Sequence, residues 1–499
     1  MSESASPFDI ICAARVRRSG GGGCYTAVSI SRSLIVMQLK LAAGMVTPLI
    51  VATALFMENM DATVISTSLP EIARDLLVDP IGLKLALTSY LVSLAVFIPI
   101  SGWMADRFGS RRIFRAAIAV FVAGSVLCAL SNTLGGFVLA RFVQGIGGAM
   151  MVPVGRLVIL RTTVKADLVR ALSYLTVPAL LGPVIGPPLG GFISTYLHWR
   201  WIFLINIPIG VLGWVLARRH IEDLKDEHVP PLDWLGFALS GVGLSLLMLG
   251  LASEGKHLVS AQWSVVLAAT GVGLLWLYLL HYRRTAHPLL DLSLLRLSTF
   301  HAGVVGGFVF RVGIGATPFL LPLMLQLGLG LNPFVSGLLT CSTAVGAIFM
   351  KTLVMRILRR YGFRRVLMAN SVLAGLSIAA YALFYEAPSY VWMLLVFVLG
   401  GCLRSLQFTS LNAISFAEVE PAGMSHATSL SGVAQQLAAG LGVTVGAFVV
   451  QGVSLLQGHA RLTVVDFAWA FAIMGALTML SSLMFASLDP RAGEEMASR

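Results

Sequence analysis

Charge is what this sequence has least of. Only 12% of its 499 residues are Asp, Glu, Lys or Arg, against about 25% in an ordinary soluble chain. With 57% of residues hydrophobic, the composition points to a chain that crosses a membrane many times. Cysteine is scarce too: the five thiols (Cys12, Cys24, Cys128, Cys341 and Cys402) form no Cys-x-x-Cys pair. Three of them lie in apolar runs, where Cys behaves as a small hydrophobe. The nine histidines are scattered without ligand spacing, so no metal, redox centre or cofactor is expected. No Ser/His/Asp or Cys/His constellation stands out. The glycine run Gly20–Gly23 lacks the Lys-Ser/Thr that would follow in a phosphate-binding loop. A membrane-embedded enzyme, a receptor and a nucleotide-driven pump are all disfavoured. The net charge of +12 does not indicate nucleic acid, because the arginines gather at the ends of apolar runs and alternate with no aromatics.

What the chain does have is apolar runs of roughly 20 residues, the length that crosses a bilayer core. They fall near residues 45–68, 83–104, 112–131, 136–158, 169–192, 200–217, 234–252, 262–281, 300–327, 334–356, 364–384, 391–414, 427–451 and 466–487, or about fourteen spans. The short turns rich in Lys and Arg then fall on one side, which short basic loops require to be the cytoplasmic one. An even count puts both termini there. Residues 1–44 are expected as a disordered cytoplasmic tail, or as upstream sequence if the true start is Met37 or Met45. Residues 45–217 read as a first six-helix bundle, and 218–299 as a linker with two extra transmembrane helices. Residues 300–487 read as a second six-helix bundle, and 488–499 as a cytoplasmic tail.

The tightest of the basic turns is SGWMADRFGSRR, Ser101 to Arg112. Gly102 and Gly109 allow close backbone approach and a tight turn, and Asp106 can bond the neighbouring cations or an exposed helix N-terminus. The stretch RILRRYGFRRVL, Arg356 to Leu367, repeats it: Gly362 matches Gly109 and Arg364/Arg365 match Arg111/Arg112, but Arg359 stands where the first copy has Asp106. Such a repeat implies two halves around a central site. The pattern Gly102, Asp106, Arg107, Gly109, Arg111, Arg112 resembles the signature loop of the major facilitator superfamily, departing from it at Ser110. With an extra pair of spans between the halves, the chain resembles the fourteen-span drug:proton antiporter branch (the EmrB/QacA type, MdtD-like members in particular).

The first span, ALFMENMDATVISTSLP, places Glu58 and Asp61 three residues apart on one helical face. A carboxylate at membrane depth costs a few kcal/mol at least unless it faces a wet cavity or a partner, or escapes that cost by holding a proton. A group neutral in one conformation and ionised in another is what proton coupling needs. The resemblance implies such a role for Asp61 in its Asp-x-Thr motif, whereas Glu58 lies outside the family pattern. Arg141, Gln144 and Gly145 resemble the family's Arg-x-x-Gln-Gly motif. At about 1.5 Å per residue, Asp61 and Arg141 lie at similar depth, roughly 10 Å below the outer surface. An ion pair between them is geometrically open, as a coupling switch or as a static packing contact.

The fifth span carries LLGPVIGPPLGGFI. Gly182, Gly186 and Gly190 recur every four residues, making one smooth face, while Pro183, Pro187 and Pro188 free backbone carbonyls. With Gly191 the stretch resembles the family's antiporter motif, which implies export and a face that seals the closed side. The double proline is a departure, and a plain glycine-packed helix is the alternative. Deeper polar residues, Gln144, Arg311, Gln326, Arg404 and Gln407, are expected along a substrate pathway. Arg311 and Arg404 have no acid in their own helices, which suggests an anionic group there, with hydrogen bonding to carbonyls or to Asp61 and Glu58 across the halves as the alternative. Lipophilic cations and organic anions both remain open as cargo.

These observations lead us to expect an all-α polytopic membrane protein with the major facilitator fold. It would act as a proton-coupled exporter of drugs or metabolites in the cell inner membrane, or as a proton-coupled carrier of a small organic anion. Its partners would be a small-molecule substrate, protons and the lipid bilayer, with no nucleic acid and a monomeric chain.

Overall fold

The architecture comes from a computed structural model. It describes residues 23–163, 168–226, 229, 231–253, 260–285, 288–385, 389–420, 423–459 and 462–493, with side chains described from residue 46 and, within the helix at 168–196, from residue 181. The expected tails therefore lie partly outside the described residues, at 1–22 and 494–499. Thirteen helices among the described residues are long and apolar enough to cross a membrane, and Leu168–Tyr196 makes a fourteenth. They are α1 (Gly23–Asp75, its spanning part Val46–Asp75), α2 (Pro80–Phe108), α3 (Ser110–Leu130), α4 (Leu134–Thr162), α5 (Leu168–Tyr196), α6 (Trp201–His220), α7 (Trp234–Ser253) and α8 (Gln262–Tyr282). The series continues with α9 (Ser298–Gly328), α10 (Pro333–Lys351), α11 (Phe363–Leu383), α12 (Tyr390–Ser415), α13 (Met424–Leu456) and α14 (Val464–Phe485). Each lies where an apolar run was expected.

One expectation is corrected at the N-terminal end. The backbone of residues 23–44 is helical and continuous with the first span, not an irregular tail. No proline interrupts the chain between Cys24 and Thr47, so nothing forces the helix to start later.

In the first half α1 packs on α5 and α6, α2 on α4, and α3 on α4. In the second, α10 packs on α12, α11 on α14, and α9 on α13 and α14. Helices α7 and α8 form a hairpin attached mainly through α7 against α2. The halves meet where α5 crosses α10 and α2 crosses α13. Helix ends are closed by side chains: the Thr133, Asn332 and Ser389 oxygens each accept a backbone N–H of the first turn, and Thr463 and Asp466 cap each other's backbone.

The repeat is visible in the backbone. Gly109 is the one residue between α2 and α3, with φ +98°, and Gly362 is the one residue between Val354–Tyr361 and α11, with φ +75°. Both lie in the left-handed region that strains any side chain. Gly102 does something else. It sits inside α2 with nothing within 4 Å of where a Cβ would be, so the close approach expected of it does not occur.

Helix α9 is the least regular. It carries π-helical turns at Ala302–Gly306 and Met324–Gly328, and it breaks at Ala316 ahead of Pro318 and Pro322. Helix α5 is packed through glycine. A Cβ at Gly182 would lie 2.8 Å from the Asn59 Cβ, one at Gly186 would run into the Thr63 hydroxyl, and one at Gly190 into the Val64 carbonyl. The face formed by these three glycines thus closes α5 onto α1 within the same half. The residue that turns outward is Gly191, pressed on Pro333, with Gly337 of α10 reciprocally on Pro187.

Candidate functional site

Asp61 is the centre of a polar knot inside an apolar bundle. It is 3% exposed, and Arg141 is 1% exposed. Arg141 Nη1 donates to Asp61 Oδ2 at 2.6 Å, while Gln144 Nε2 and Asn206 Nδ2 donate to Oδ1 at 2.8 and 2.9 Å. Both amides also donate to Ser125 Oγ, at 2.8 and 3.2 Å. Arg141 further bonds the Gln144 Oε1 and lays its guanidinium 4.3 Å from the centroid of Tyr90. Four helices, α1, α3, α4 and α6, each supply at least one member. Spacing accounts for part of this: Arg141 and Gln144 are three apart on α4 and so share a face. Neither Ser125 nor Asn206 was among the expected site residues. Neutral polar groups carry no burial cost large enough to mark them.

Glu58 lies one turn before Asp61, half-buried, and its Oε2 is buried without a hydrogen-bond partner. Arg156 of α4 and Asp61 both act on it electrostatically.

A cavity of about 610 Å³ lies between the halves. The first half contributes Thr63, Tyr90, Arg141, Pro183 and Pro187 to its wall, and the second Arg311, Arg404, Phe408, Asn412, Gln435 and Gln436. Asp61 does not border this space. Arg141 does, and so links the carboxylate to the cavity. Among the described residues the cavity wall holds no Asp or Glu.

The five residues expected along a substrate pathway separate clearly. Arg311 and Arg404 line the cavity. Gln144 is spent on the Asp61 knot. Gln407 is fully buried inside the second half, bonding Asn370, Ser371 and the Leu367 carbonyl. Gln326 bridges the halves instead, donating to the Thr67 carbonyl at 2.9 Å. Hydropathy locates a polar group in a span but does not say whether it faces a cavity or a neighbouring helix, and for these three glutamines it is the helix.

The halves are joined toward the end away from the basic turns. Besides Gln326 and Thr67, Phe334 N donates to Thr195 Oγ1 at 3.1 Å, and the Lys84 ammonium lies 4.6 Å from the Phe448 ring centroid. At mid-depth the Cys341 thiol donates to the Val184 carbonyl at 3.1 Å, an acceptor that Pro188, four residues on, leaves free.

At the other end, the turn around Gly109 is clamped to the strand-like segment after α6. Arg161 Nη2 lies 2.9 Å from Asp106 Oδ1 and 3.0 Å from Asp226 Oδ2, and Arg112 Nε and Arg111 Nη2 lie 3.1 and 3.9 Å from Asp223 Oδ2. Ser110 N donates to the Leu224 carbonyl and Asp226 N to that of Asp106. Arg107 is exposed.

With this geometry in hand, the comparisons with known proteins are specific. The model of the family described as the Major Facilitator Superfamily matches residues 51–305 and 303–497, one match to each half. A candidate multidrug resistance protein, MdtD, of Klebsiella pneumoniae (strain 342) is 36% identical over 448 residues, covering 89% of this chain and 94% of that protein. Its counterpart in Salmonella heidelberg (strain SL476) is 37% identical over 446 residues, covering 88% and 93%. Among solved structures, a D-xylose-proton symporter matches with TM-score 0.65 and 15% identity over 89% of this chain and 97% of that one. A POT family transporter bound to a thioalcohol-conjugated peptide matches with TM-score 0.66 and 16% identity over 92% and 97%. At such identities the solved structures speak to the fold alone.

Proposed function

Because this chain belongs to the Major Facilitator Superfamily, we propose that it is a secondary exporter in which protons entering a cell drive a small organic molecule out. In this reading the chain works as a monomer in the inner membrane, with both termini and the Gly109 turn on the cytoplasmic side. The halves rock about the central cavity, which is reached from one side at a time. The relatives named for multidrug resistance support export over uptake.

The observation that carries the proposal is the buried Asp61–Arg141 pair with its arginine on the cavity wall. In this reading the arrangement with the outer end shut is the one without a coupled proton, which the donors on both carboxylate oxygens of Asp61 support. When the outer end opens, a shift of Arg141 toward the cavity vacates Oδ2 for a proton. The protonated carboxyl then accompanies the empty carrier back, and re-forming the pair expels the proton to the cytoplasm. Glu58, one turn nearer the cytoplasmic end with an unpartnered oxygen, is the next station on that route. The α5–α10 crossing at Gly191 and Gly337 is the pivot, and the clamps on Asp106, Arg111 and Arg112 hold the first half rigid as it turns.

Proteoliposomes with an imposed pH gradient test this. Asp61→Asn should abolish proton-driven accumulation while cargo exchange without a gradient persists. Undiminished proton-driven transport in that variant would discard the assignment.

A further inference from the structure

The central cavity has an unusual charge balance. Three guanidiniums border it, those of Arg141, Arg311 and Arg404, and no carboxylate does among the described residues. Arg141 is neutralised by Asp61. The other two are not. Arg311 donates to Asn412 Oδ1 at 3.3 Å, a neutral amide, and Arg404 pairs with no acid among the described residues. Among the described residues of the second half's spans the one buried acid, Asp466, sits at the far end of α14, engaged with Thr463 and His459. A cation inside a membrane bundle calls for a counter-charge, and among the described residues the cavity wall supplies none for these two.

The placement of the two arginines is also ordered. Arg404, Phe408 and Asn412 follow one another at intervals of four on α12, so they share one face, and all three line the cavity. The Arg311 guanidinium reaches across from α9 to Asn412 and lies 5.6 Å from the Phe408 ring centroid. The arrangement is an aromatic ring with a guanidinium on α9 and another on α12, in a pocket that is otherwise mostly apolar.

We propose that the cargo of this cavity is an organic anion. Its carboxylate, sulfonate or phosphate is held by Arg311 and Arg404, and its apolar body lies along Phe408. Guanidinium suits such oxyanions because its fork of N–H donors matches their geometry. A lipophilic cation would meet two like charges and no acid. The proposal rests on the transport reading for the use of the site, but not for its binding chemistry.

The test is equilibrium binding to the purified full-length chain, without any gradient, using labelled naphthoate, naphthalenesulfonate and naphthyl phosphate. Naphthylmethyl-trimethylammonium serves as the cationic competitor. At least one anion should bind saturably, and the cation should not displace it. Arg311→Gln and Arg404→Gln should each weaken binding about ten- to hundredfold, with Arg311→Lys recovering part of the loss. Absence of saturable binding by all three anions, displacement by the cation, or unchanged affinity in both Gln variants would overturn the proposal. The competition on the native chain needs no variant, so a folding defect in either substitution leaves it decisive. Binding also fails independently of coupling: Asp61→Asn can lose proton-driven transport while still binding naphthoate, and the reverse pattern would retain the exporter and remove the anion site.

Discussion

Replacing Arg141 with Gln strands a carboxylate. Asp61 would keep the donors on Gln144 and Asn206 but lose the guanidinium it pairs with at a buried site. Removing one partner of a buried pair costs about 3–5 kcal/mol, and the two remaining amides put the expectation near the low end, about 3 kcal/mol. Asp61→Asn should cost a similar amount, because an amide N–H then faces Arg141 Nη1, donor against donor, and a guanidinium is left without its anion. The double variant removes both charges at once, and replacing a buried ion pair as a unit is often close to neutral. With amides rather than apolar groups in the pair's place it should still cost no more than either single variant, about 3 kcal/mol, which is a coupling energy of at least about 3 kcal/mol. Unfolding in mixed micelles with rising sodium dodecyl sulfate, read by circular dichroism for the native chain and the three variants, gives the cycle. Additivity within about 0.5 kcal/mol would mean that the pair does not hold the knot together, and the switch built on it would have no basis.

Gly186→Ala should destabilise the chain by about 1–3 kcal/mol through overpacking, since its Cβ meets the Thr63 hydroxyl, whereas Gly102→Ala in open space should be neutral or stabilise by up to about 1 kcal/mol; thermal unfolding of the two in parallel checks the contrast. Gly362→Ala should cost about 1–2 kcal/mol from left-handed strain alone, with no new contact closer than 4.0 Å, and the same assay reads it. The proposed orientation is checked by labelling. With the native cysteines removed, Leu130→Cys should react with an impermeant maleimide added outside intact cells and Arg112→Cys only after permeabilisation, and the opposite pattern inverts the topology.

The architecture was legible because it depends on length and hydropathy, which a bilayer reads one segment at a time. The Asp61–Arg141 contact was legible for a related reason: charges at membrane depth are rare, so two at equal depth have few alternatives. Legibility ends where a choice among neighbours begins. A four-residue glycine period shows that a helix has a smooth side, but not that Gly186 spends it on Thr63 of its own half while Gly191, five residues on, meets Pro333. The same limit hid the difference between Gln407, sealed among Asn370 and Ser371, and Arg404, three residues earlier on the same helix and open to the cavity.

The two copies of the repeat also explain why the chemistry divides as it does. In the first half Asp61 is matched with Arg141 at membrane depth, with Glu58 beside the pair, and the turn at Gly109 is matched too, with Asp106, Asp223 and Asp226 against Arg161, Arg111 and Arg112. In the second half Arg359 replaces the loop acid, and the two deep cations face the cavity without one. A site that must exchange protons needs its partner permanently at hand, so that binding and release are a matter of separating two fixed groups. A site that must bind and release cargo needs the opposite, a charge whose partner arrives from solution. The first half has the composition of the former and the second half that of the latter, so substitutions in α1 and α4 should alter coupling and those in α9 and α12 should alter selectivity.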